Sequence, residues 1–407
     1  MENKSSEKNK ILNSFSIVLQ GPLYDWNVIQ SAQLISQWRT IFPNSKIIFS
    51  ISQSDLIIFD GAGIIPKLRI TRLHRNNVVF QDALNLIDRF CDTIVLSNSA
   101  VVLPPVKRGL RENNCNLQIA AAKAGLEQVD TDYVLRIRND ILFTDNTFID
   151  YYLENKDFPR GKYTVLKQRV LISEFFTLNP FTLERLPFHY SDWMHFGLTE
   201  DVRKLWDVPA YGIVDATYYQ RHPYKKGTGA RENTFISRYA VEQYIAITIF
   251  KKYFPNLKLH YHNDHTSINE SMHILSDNFI ISDFAKTNIY FEKYQHIIND
   301  KDIHLVCVSP SAWKKIVLNE TNGKKPYTVL FASEITRANN ILTRNPKNEA
   351  FPQPADFRTR LFFKFLLLVL NKKKRRKLTE NPKKFFLDSK NPLTRSLGKK
   401  YISYMGL

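Results

Sequence analysis

Cysteine is scarce in this chain, and long apolar runs are missing. The 407 residues include three cysteines, at positions 91, 115 and 307, and their separation matches no metal-binding or redox spacing. We therefore expect a reducing compartment and no disulfide framework. No stretch reaches the roughly 20 consecutive apolar residues of a membrane-spanning helix, and the first ten residues lack the apolar core of a signal peptide. The sequence predicts a cytoplasmic protein.

Acidic residues are outnumbered, and the excess positive charge lies mainly at one end. The formal net charge is +18, and between Arg358 and Lys400 fifteen basic residues minus two acidic ones give +13. Within this tail an apolar stretch, residues 361–370, is followed at once by a basic cluster, residues 372–377. This combination is typical of a segment that lies on an anionic membrane surface, and we predict that residues 358–407 do so. A core helix with a solvated charged end is the alternative, and no nucleic acid is expected as a partner.

Strand and helix patterns alternate along the first 140 residues. Runs typical of buried strands lie at residues 15–20, 46–50, 93–96 and 133–136. Helical spacing of apolar residues follows the first run and precedes the last one. Such alternation predicts an α/β fold with a mostly parallel sheet flanked by helices. An apolar content of 43% is ample for the core of such a fold.

The last of these strands delivers charged residues to the point where it ends. Residues 133–140 read Tyr-Val-Leu-Arg-Ile-Arg-Asn-Asp, which places Arg136, Arg138 and Asp140 at or beyond the strand end. Ligands bind beyond the carboxyl ends of parallel strands. Arg136 and Arg138 share one strand face, and either could contact a phosphate; a surface salt bridge is the alternative. Asp140 could give one oxygen ligand to Mg²⁺ or Mn²⁺, or it could simply cap a turn.

Amide side chains lie at two other element ends. Gln20 ends the first strand and is followed by Gly21 and Pro22. Glycine there allows close backbone approach, and the glutamine amide could pair with the edge of a base. Asn116 and Gln118 open a predicted helix, where they could cap it or bind sugar hydroxyls.

Two carboxylates further along the chain are candidates for acid–base chemistry. Asp192 is followed by Trp193, so a carboxylate stands beside an aromatic ring on which a sugar could pack. Asp192 is therefore the first choice for a general base at an acceptor site. Glu242 follows Arg238 by one helical turn and is either a second catalytic carboxylate or one half of a buried ion pair.

Five local motifs resemble, in order, the signature of WavE-like lipopolysaccharide-synthesis proteins. They lie at residues 16–22, 116–118, 133–140, 191–197 and 242–244. The resemblance implies a GT-A-like, Rossmann-type glycosyltransferase that takes a nucleotide-sugar donor and extends a bacterial surface glycan. One departure concerns the metal, because Asn139 rather than a second acid precedes Asp140.

The resemblance and the patterns together predict the following organisation and roles. The predicted parts are a flexible N-terminus (1–13), a GT-A-like domain (14–338) with a donor half (14–145) and an acceptor half (146–338), a linker (339–357) and a basic helical tail (358–407). The expected donor-binding residues are Gln20, Gly21, Pro22, Asn116, Gln118, Arg136 and Arg138. The expected catalytic residues are Asp140, Asp192 and Glu242, with Asp140 also as the metal ligand.

Two other classes of function remain open from the sequence. The first is a polysaccharide-assembly scaffold that has the fold but no catalysis. The second is a nucleic-acid binder that uses the basic tail. The preferred interpretation is an enzyme of lipopolysaccharide or capsule synthesis, peripheral on the cytoplasmic face of the inner membrane, with a glycan or glycolipid acceptor.

Overall fold

The computed structural model describes residues 2–344, except 60, 99, 230, 295–297, 299, 301, 323 and 324. The predicted tail, 358–407, and most of the predicted linker lie outside the described residues. The first six linker residues, 339–344, form the end of a helix. Among the residues described, no helix is long and apolar enough to cross a membrane.

The strands form one large sheet and one small one. They are β1 (Phe15–Leu23), β2 (Lys46–Ser54), β3 (Gly63–Ile64), β4 (Thr93–Leu96), β5 (Tyr133–Arg138), β6 (Leu142–Phe143), β7 (Val170–Ile172), β8 (Met194–Leu198), β9 (Phe279–Ile281) and β10 (Ile289–Tyr290). The large sheet has the order β3-β4-β2-β1-β5-β8-β7-β9, and β6 pairs with β10. Strands β4, β2, β1 and β5 are parallel, whereas β8 runs antiparallel to β5. This sheet confirms the predicted α/β fold with a mostly parallel sheet.

Helices cover the sheet and its edges. They are α1 (Glu2–Asn13), α2 (Val28–Ile41), α3 (Val78–Phe90), α4 (Cys115–Glu127), α5 (Thr147–Asn155), α6 (Thr199–Trp206), α7 (Ile213–Ala216), α8 (Val241–Tyr253), α9 (Ile268–Asn278), α10 (Phe284–Thr287), α11 (Pro310–Asn322), α12 (Tyr327–Leu330) and α13 (Ala332–Arg344). Short 3-10 helices occur at Arg72–His74, Tyr218–Gln220, Glu232–Thr234, Glu292–Tyr294 and Ile303–Leu305.

The four central strands form where the sequence predicts them, because their apolar runs are buried on both faces. In β1 the side chains from Phe15 to Gln20 are all buried. Helix α4 packs closely over this region, since a Cβ on Gly125 would lie 2.5 Å from Val18 Cγ1. This packing fixes the start of α4 beside the carboxyl ends of β1 and β2.

The N-terminal segment differs from its prediction as a flexible segment, because it is helical in the structure. Residues 2–13 form α1, although their sequence is mostly polar and charged. Tertiary contacts account for the helix: Ile11 is buried, and Lys8 Nζ lies 2.5 Å from Asp150 Oδ2 on α5. Such contacts with distant residues leave no signal in the local pattern of residues 1–13.

Candidate functional site

A cleft of about 390 Å³ lies at the carboxyl ends of β1, β2 and β4. Its lining residues are Tyr24, Ser52, Gln53, Ser54, Phe59, Leu96, Ser97, Ala100 and Leu117. Small-molecule sites commonly have volumes of roughly 300–1,000 Å³, and in open α/β sheets they lie beyond the carboxyl ends of the strands. The cleft therefore has the size and the position of a ligand site.

The walls of the cleft carry no charged side chain and combine polar with apolar residues. The Tyr24 hydroxyl donates a hydrogen bond to Gln53 Oε1. Ser97 Oγ is buried and has no hydrogen-bond partner among the described residues. Hydroxyl and amide groups of this kind can bind base edges and sugar hydroxyls. The sequence analysis did not single out Tyr24, Gln53 or Ser97. Their positions at or just after the ends of three predicted strands could have indicated them.

Gln20 lies at the predicted strand end, but its amide is engaged within the protein. Its Nε2 donates to the backbone oxygen of Gln118 at 2.8 Å, and its Oε1 accepts from Arg136 Nε at 2.6 Å. The side chain is buried. The prediction was that this amide pairs with the edge of a base. In the structure it holds Arg136 in place.

Gly21 and Pro22 contact the loop that follows β5. Asn139 Nδ2 donates to the Pro22 backbone oxygen at 3.0 Å, and Asn139 N donates to the Gln20 oxygen at 2.9 Å. A Cβ on Gly21 would lie 2.0 Å from Asn139 Oδ1. Glycine is thus required for close approach to Asn139, and an amide is required at position 139 because a carboxylate would repel the Pro22 oxygen.

We expect the substitution Gly21→Ala to destabilise the protein by about 1–3 kcal/mol, the usual cost of overpacking. The added methyl group forces Asn139 away from the Pro22 oxygen. The measurement is the free energy of unfolding in urea. Gly212→Ala is the control, because a Cβ there meets nothing within 4 Å and the backbone φ is −78°. Equal stability of the two variants would contradict this account.

Arg136 is a buried positioning residue and does not reach the cleft. The side chain is 1% exposed, and its guanidinium carbon lies 4.2 Å from the ring centroid of Trp206. Its Nη1 donates to the backbone oxygen of Asp192. Burial lowers the pKa of Arg136 to about 9, although Asp192 acts in the opposite direction. Arg136 therefore links Gln20 to Asp192 and does not reach the cleft to make the phosphate contact that the sequence predicts.

Arg138 and Asp140 form a two-pronged ion pair at the end of β5. Arg138 Nε and Nη2 donate to the two carboxylate oxygens of Asp140 at 2.9 and 2.7 Å. Both side chains are about one quarter exposed. Burial lowers the pKa of Arg138, but the Asp140 carboxylate outweighs this and the pKa is raised. Arg138 is thus a fixed cation at the strand end, in the position predicted for a phosphate contact.

Aromatic rings surround the Arg138 guanidinium on its buried side. The ring centroids of Phe291, Trp193 and Tyr294 lie 5.2, 5.6 and 5.9 Å from its central carbon. Trp193 itself is buried and contacts Phe176 and Tyr294. It therefore packs against Arg138 and does not offer the open ring predicted for a sugar. Such cation–π contacts help to fix the orientation of the Arg138 guanidinium.

The described residues do not form a self-contained metal site. No group of three or more His, Cys, Asp or Glu side chains in this part of the chain could hold a metal ion. Asp140 alone could supply one carboxylate, and it would first have to release Arg138. A divalent ion at Asp140 would therefore depend on oxygen ligands from a bound phosphate and water.

Asn116 and Gln118 lie in the first turn of α4, as predicted, but their amides have different surroundings. Asn116 Nδ2 donates to the Tyr211 backbone oxygen at 3.1 Å, and Asn116 Oδ1 accepts from Tyr211 N at 2.6 Å. Asn116 therefore fixes the segment before α7. Gln118 Oε1 is buried without a hydrogen-bond partner in the described structure, and Leu117 beside it lines the cleft.

The two predicted carboxylates Asp192 and Glu242 come together. Both line a cavity of about 20 Å³, which is room for one water-sized group, and its other walls are mainly apolar. No described residue donates a hydrogen bond to the Asp192 carboxylate. Burial, and after it the charge of Glu242, raise the pKa of Asp192 to about 6 against the opposing effect of Arg136. Arg238, the predicted partner of Glu242, instead contacts Asp215 at 3.3 Å.

His189 is the direct partner of Glu242, and the sequence did not indicate it. Its Nε2 lies 3.3 Å from Glu242 Oε2, and its Nδ1 lies 2.9 Å from the Phe176 backbone oxygen. Because a carbonyl only accepts, Nδ1 carries the hydrogen and Nε2 faces Glu242 with a lone pair. Burial lowers the pKa of His189 to about 4 and raises that of Glu242 to about 7. A protonated Glu242 can therefore donate to a neutral His189.

Strained backbone flanks this histidine. Phe176 and Phe188 have φ values of 63° and 60°, a region that bulky residues rarely adopt. Phe176 supplies the oxygen bound by His189, and Phe188 directly precedes His189. Strain of this kind costs roughly 1–3 kcal/mol per residue and is concentrated at functional sites. It supports a functional role for the cluster of Asp192, Glu242 and His189.

Solved structures with similarity to this chain include two glycosyltransferases. The chain is 9% identical to galactosyltransferase LgtC, solved in complex with donor and acceptor sugar analogues, over 78% of this chain and 99% of LgtC, with a TM-score of 0.31. It is 10% identical to the apo form of the glycosyltransferase GlyE of Streptococcus pneumoniae TIGR4, over 80% of this chain and 64% of GlyE, with a TM-score of 0.28. These scores are too low to assign a function or residue roles. No curated protein matches the chain.

One family profile matches the larger part of the chain. The profile described as WavE lipopolysaccharide synthesis matches residues 102–342, more than half of the 407 residues. The matched region contains Arg138, Asp140, Asp192 and Glu242. The predicted resemblance is therefore confirmed, and the chain belongs to the WavE lipopolysaccharide synthesis family.

Proposed function

We propose that this protein is a glycosyltransferase that moves a sugar from a nucleotide-sugar to a growing bacterial surface glycan, of lipopolysaccharide core, O-antigen or capsule. The observation that carries the proposal is the arrangement along neighbouring strands. A cleft large enough for a nucleoside opens at the ends of β1, β2 and β4, and the end of β5, next to β1, carries Arg138 and Asp140. The adjoining strand β8 begins directly after Asp192 and Trp193.

The donor roles follow from this order of strands. The nucleoside occupies the uncharged cleft, and the diphosphate points toward Arg138. During transfer the bond between the anomeric carbon and the phosphate oxygen breaks, and its electron pair leaves with the diphosphate. A fixed cation stabilises the charge that develops there, and Arg138 is the partly exposed cation at this strand end. When bound, Mg²⁺ or Mn²⁺ at Asp140 would add to this stabilisation.

The acceptor roles belong to the buried carboxylates. As the acceptor oxygen bonds to the anomeric carbon, its proton moves to the Asp192 carboxylate, which is mostly ionised at neutral pH because its pKa is about 6. Glu242 faces His189 and has a pKa of about 7, so it is only partly ionised at neutral pH and its negative charge acts on Asp192 in part. Different pKa values for two neighbouring carboxyl groups are the usual basis for separate roles.

Occupation of the cleft by a nucleotide can be tested by thermal stabilisation. The purified protein is heated with a panel of nucleoside diphosphates and nucleotide-sugars, with and without Mn²⁺, because a ligand that binds the folded state raises the melting temperature. We expect one nucleoside class to stabilise the protein by about 2.7 kcal/mol at a ligand concentration of 100 Kd. No stabilisation by any nucleotide would favour the non-catalytic scaffold.

We expect Ala100→Trp to abolish this stabilisation, because Ala100 lines the cleft and an indole would fill it. The control is Ala332→Trp, since Ala332 is exposed at the start of α13. Both variants should melt near the wild-type temperature without ligand, and only the control should respond to the nucleotide. A full response from Ala100→Trp would place the nucleotide elsewhere.

The substitution Glu242→Gln should move the acidic limb of the rate against pH toward lower pH. The negative charge of Glu242 raises the pKa of Asp192, so its removal lets Asp192 lose its proton at lower pH. Arg136, Arg138 and His189 also act on Asp192, and they are unchanged in this variant. The measurement is the pH dependence of kcat/KM, with Glu200→Gln, an exposed residue of α6, as the control. A shift toward higher pH would contradict the assignment.

The predicted location and partners complete the proposal. We propose peripheral attachment to the cytoplasmic face of the inner membrane through residues 358–407, which lie outside the described residues. The basic charge of this segment supports that placement. A glycolipid acceptor at the membrane would be consistent with membership of a lipopolysaccharide synthesis family.

A further inference from the structure

Apolar side chains are exposed in the segment between β2 and the start of α3. Leu73 is 91% exposed, which is extreme for a leucine in a folded domain. The other large exposed apolar side chains of the segment are Ile58, Phe59, Ile64, Val78 and Val79. We name this region, the described residues 58, 59 and 61–79, the 58–79 surface. A concentration of this kind marks an interaction site, whereas single exposed residues would need no explanation.

The exposure belongs to ordered structure. Ile58 N donates to the Arg69 oxygen at 2.7 Å, and Thr71 N donates to the Leu56 oxygen at 2.7 Å, so the two arms of the segment are joined. Ile64 pairs with Val95 of β4 at the edge of the large sheet. Ile58 and Ile64 therefore belong to hydrogen-bonded backbone although their side chains are exposed.

Positive charge accompanies these apolar groups. Lys67, Arg69, Arg72 and Arg75 are all exposed. The sequence from residue 58 to residue 79 contains one acidic residue, Asp60, against these four basic ones. A partner must therefore accept apolar side chains and offer negative charge along the same segment. The headgroup region of an anionic bilayer does both, because apolar groups enter the acyl boundary while basic groups contact lipid phosphates.

We propose that the 58–79 surface binds the face of an anionic lipid bilayer. Phe59 belongs to this surface and also lines the cleft, so binding holds the cleft opening close to the membrane. A lipid-linked acceptor would then reach the site without leaving the bilayer. This contact lies within the folded domain and is separate from the predicted contact of residues 358–407.

Vesicle binding by the full chain tests the charged part of the surface. The vesicles contain phosphatidylglycerol and phosphatidylethanolamine, and phosphatidylcholine vesicles give the uncharged comparison. Each basic residue near an anionic surface changes binding roughly fivefold, so Arg72→Gln with Arg75→Gln should weaken binding by about 25-fold. The control, Lys314→Gln with Lys315→Gln, makes the same charge change on α11, which packs against β9 at the opposite edge of the sheet. Equal binding by the two double variants would overturn the proposal.

A spin label at one position tests the apolar part independently of the tail. The label is placed on Leu73→Cys or, as the control, on Leu318→Cys of α11, in a Cys91→Ser background because Cys115 and Cys307 are buried. With anionic vesicles, the label at 73 should gain contact with oxygen dissolved in the bilayer and lose contact with a water-soluble nickel chelate. The label at 318 should remain in water.

Two results would overturn the proposal. The first is a label at 73 that stays in water while the protein is bound to vesicles, which would assign the attachment to the tail. The second is a folded chain that binds no anionic vesicle, which would leave the surface for a protein partner. Neither measurement requires sugar transfer, so the proposed function and this surface fail separately.

Discussion

Asp192→Asn is expected to lower the rate of sugar transfer by about 10²- to 10⁴-fold, the usual contribution of a general base. Asparagine keeps the shape of the side chain but cannot accept a proton from the acceptor hydroxyl. The Asp192 carboxylate receives no hydrogen bond from any described residue but faces the buried Arg136, so the substitution should lower the melting temperature only modestly and leave the protein folded. Nucleotide binding should also be unchanged, because the cleft lies on other strands. The measurements are kcat, the melting temperature and the nucleotide-induced shift.

The control for this prediction is Asp207→Asn, because the Asp207 side chain is 73% exposed and pairs with Lys252 at the surface. It should retain wild-type transfer. An Asp192→Asn enzyme with full activity would remove Asp192 from the chemistry and leave Glu242 as the remaining carboxylate of the cavity. A variant that has lost both activity and its folded state would say nothing of the base, and the melting temperature separates that case.

The second large effect is expected for Arg138→Met, with a loss in kcat of about 10²- to 10³-fold, as for removal of one group that stabilises developing charge. The variant also leaves the Asp140 carboxylate without its ion-pair partner. We expect stabilisation by a nucleoside diphosphate to fall sharply, while stabilisation by the matching nucleoside is retained. Arg89→Met, an exposed position on α3, is the control.

This comparison of ligands makes the result specific to the phosphates. If Arg138→Met bound the diphosphate as tightly as the wild type, the cation at the end of β5 would have no role in donor binding. Rescue of the variant by Mn²⁺ would instead show that Asp140, once released from Arg138, recruits a metal ion.

The central strands were predictable because such apolar runs are stable only in the buried interior of a sheet. The runs at 15–20, 46–50 and 93–96 are too apolar for a surface, and they pair in parallel as the alternating pattern required. The antiparallel strand β8 was not predicted, since its five residues are separated from β5 by more than 50 positions. Pairing between such distant segments depends on tertiary contacts that local spacing does not encode.

The same distinction between local pattern and tertiary contacts applies to the site residues. Spacing correctly placed Arg136 and Arg138 at the end of β5, but their roles depend on neighbours from elsewhere in the chain. Trp206 and Gln20 enclose Arg136, whereas Asp140 holds Arg138 at the surface. The sequence around His189 did not indicate its role, because its partner Glu242 lies on α8, far along the chain.

The most direct test of the central claim is transfer of a radiolabelled sugar. The full chain is incubated with each member of a nucleotide-sugar panel and with glycolipids extracted from a lipopolysaccharide-bearing bacterium, and both lipid-bound label and free nucleoside diphosphate are counted. We predict that one donor labels the lipid, that nucleoside diphosphate appears in equal amount, and that Asp192→Asn and Ala100→Trp prevent both. A folded wild-type protein that neither labels lipid nor releases nucleoside diphosphate with any donor would contradict the proposed function.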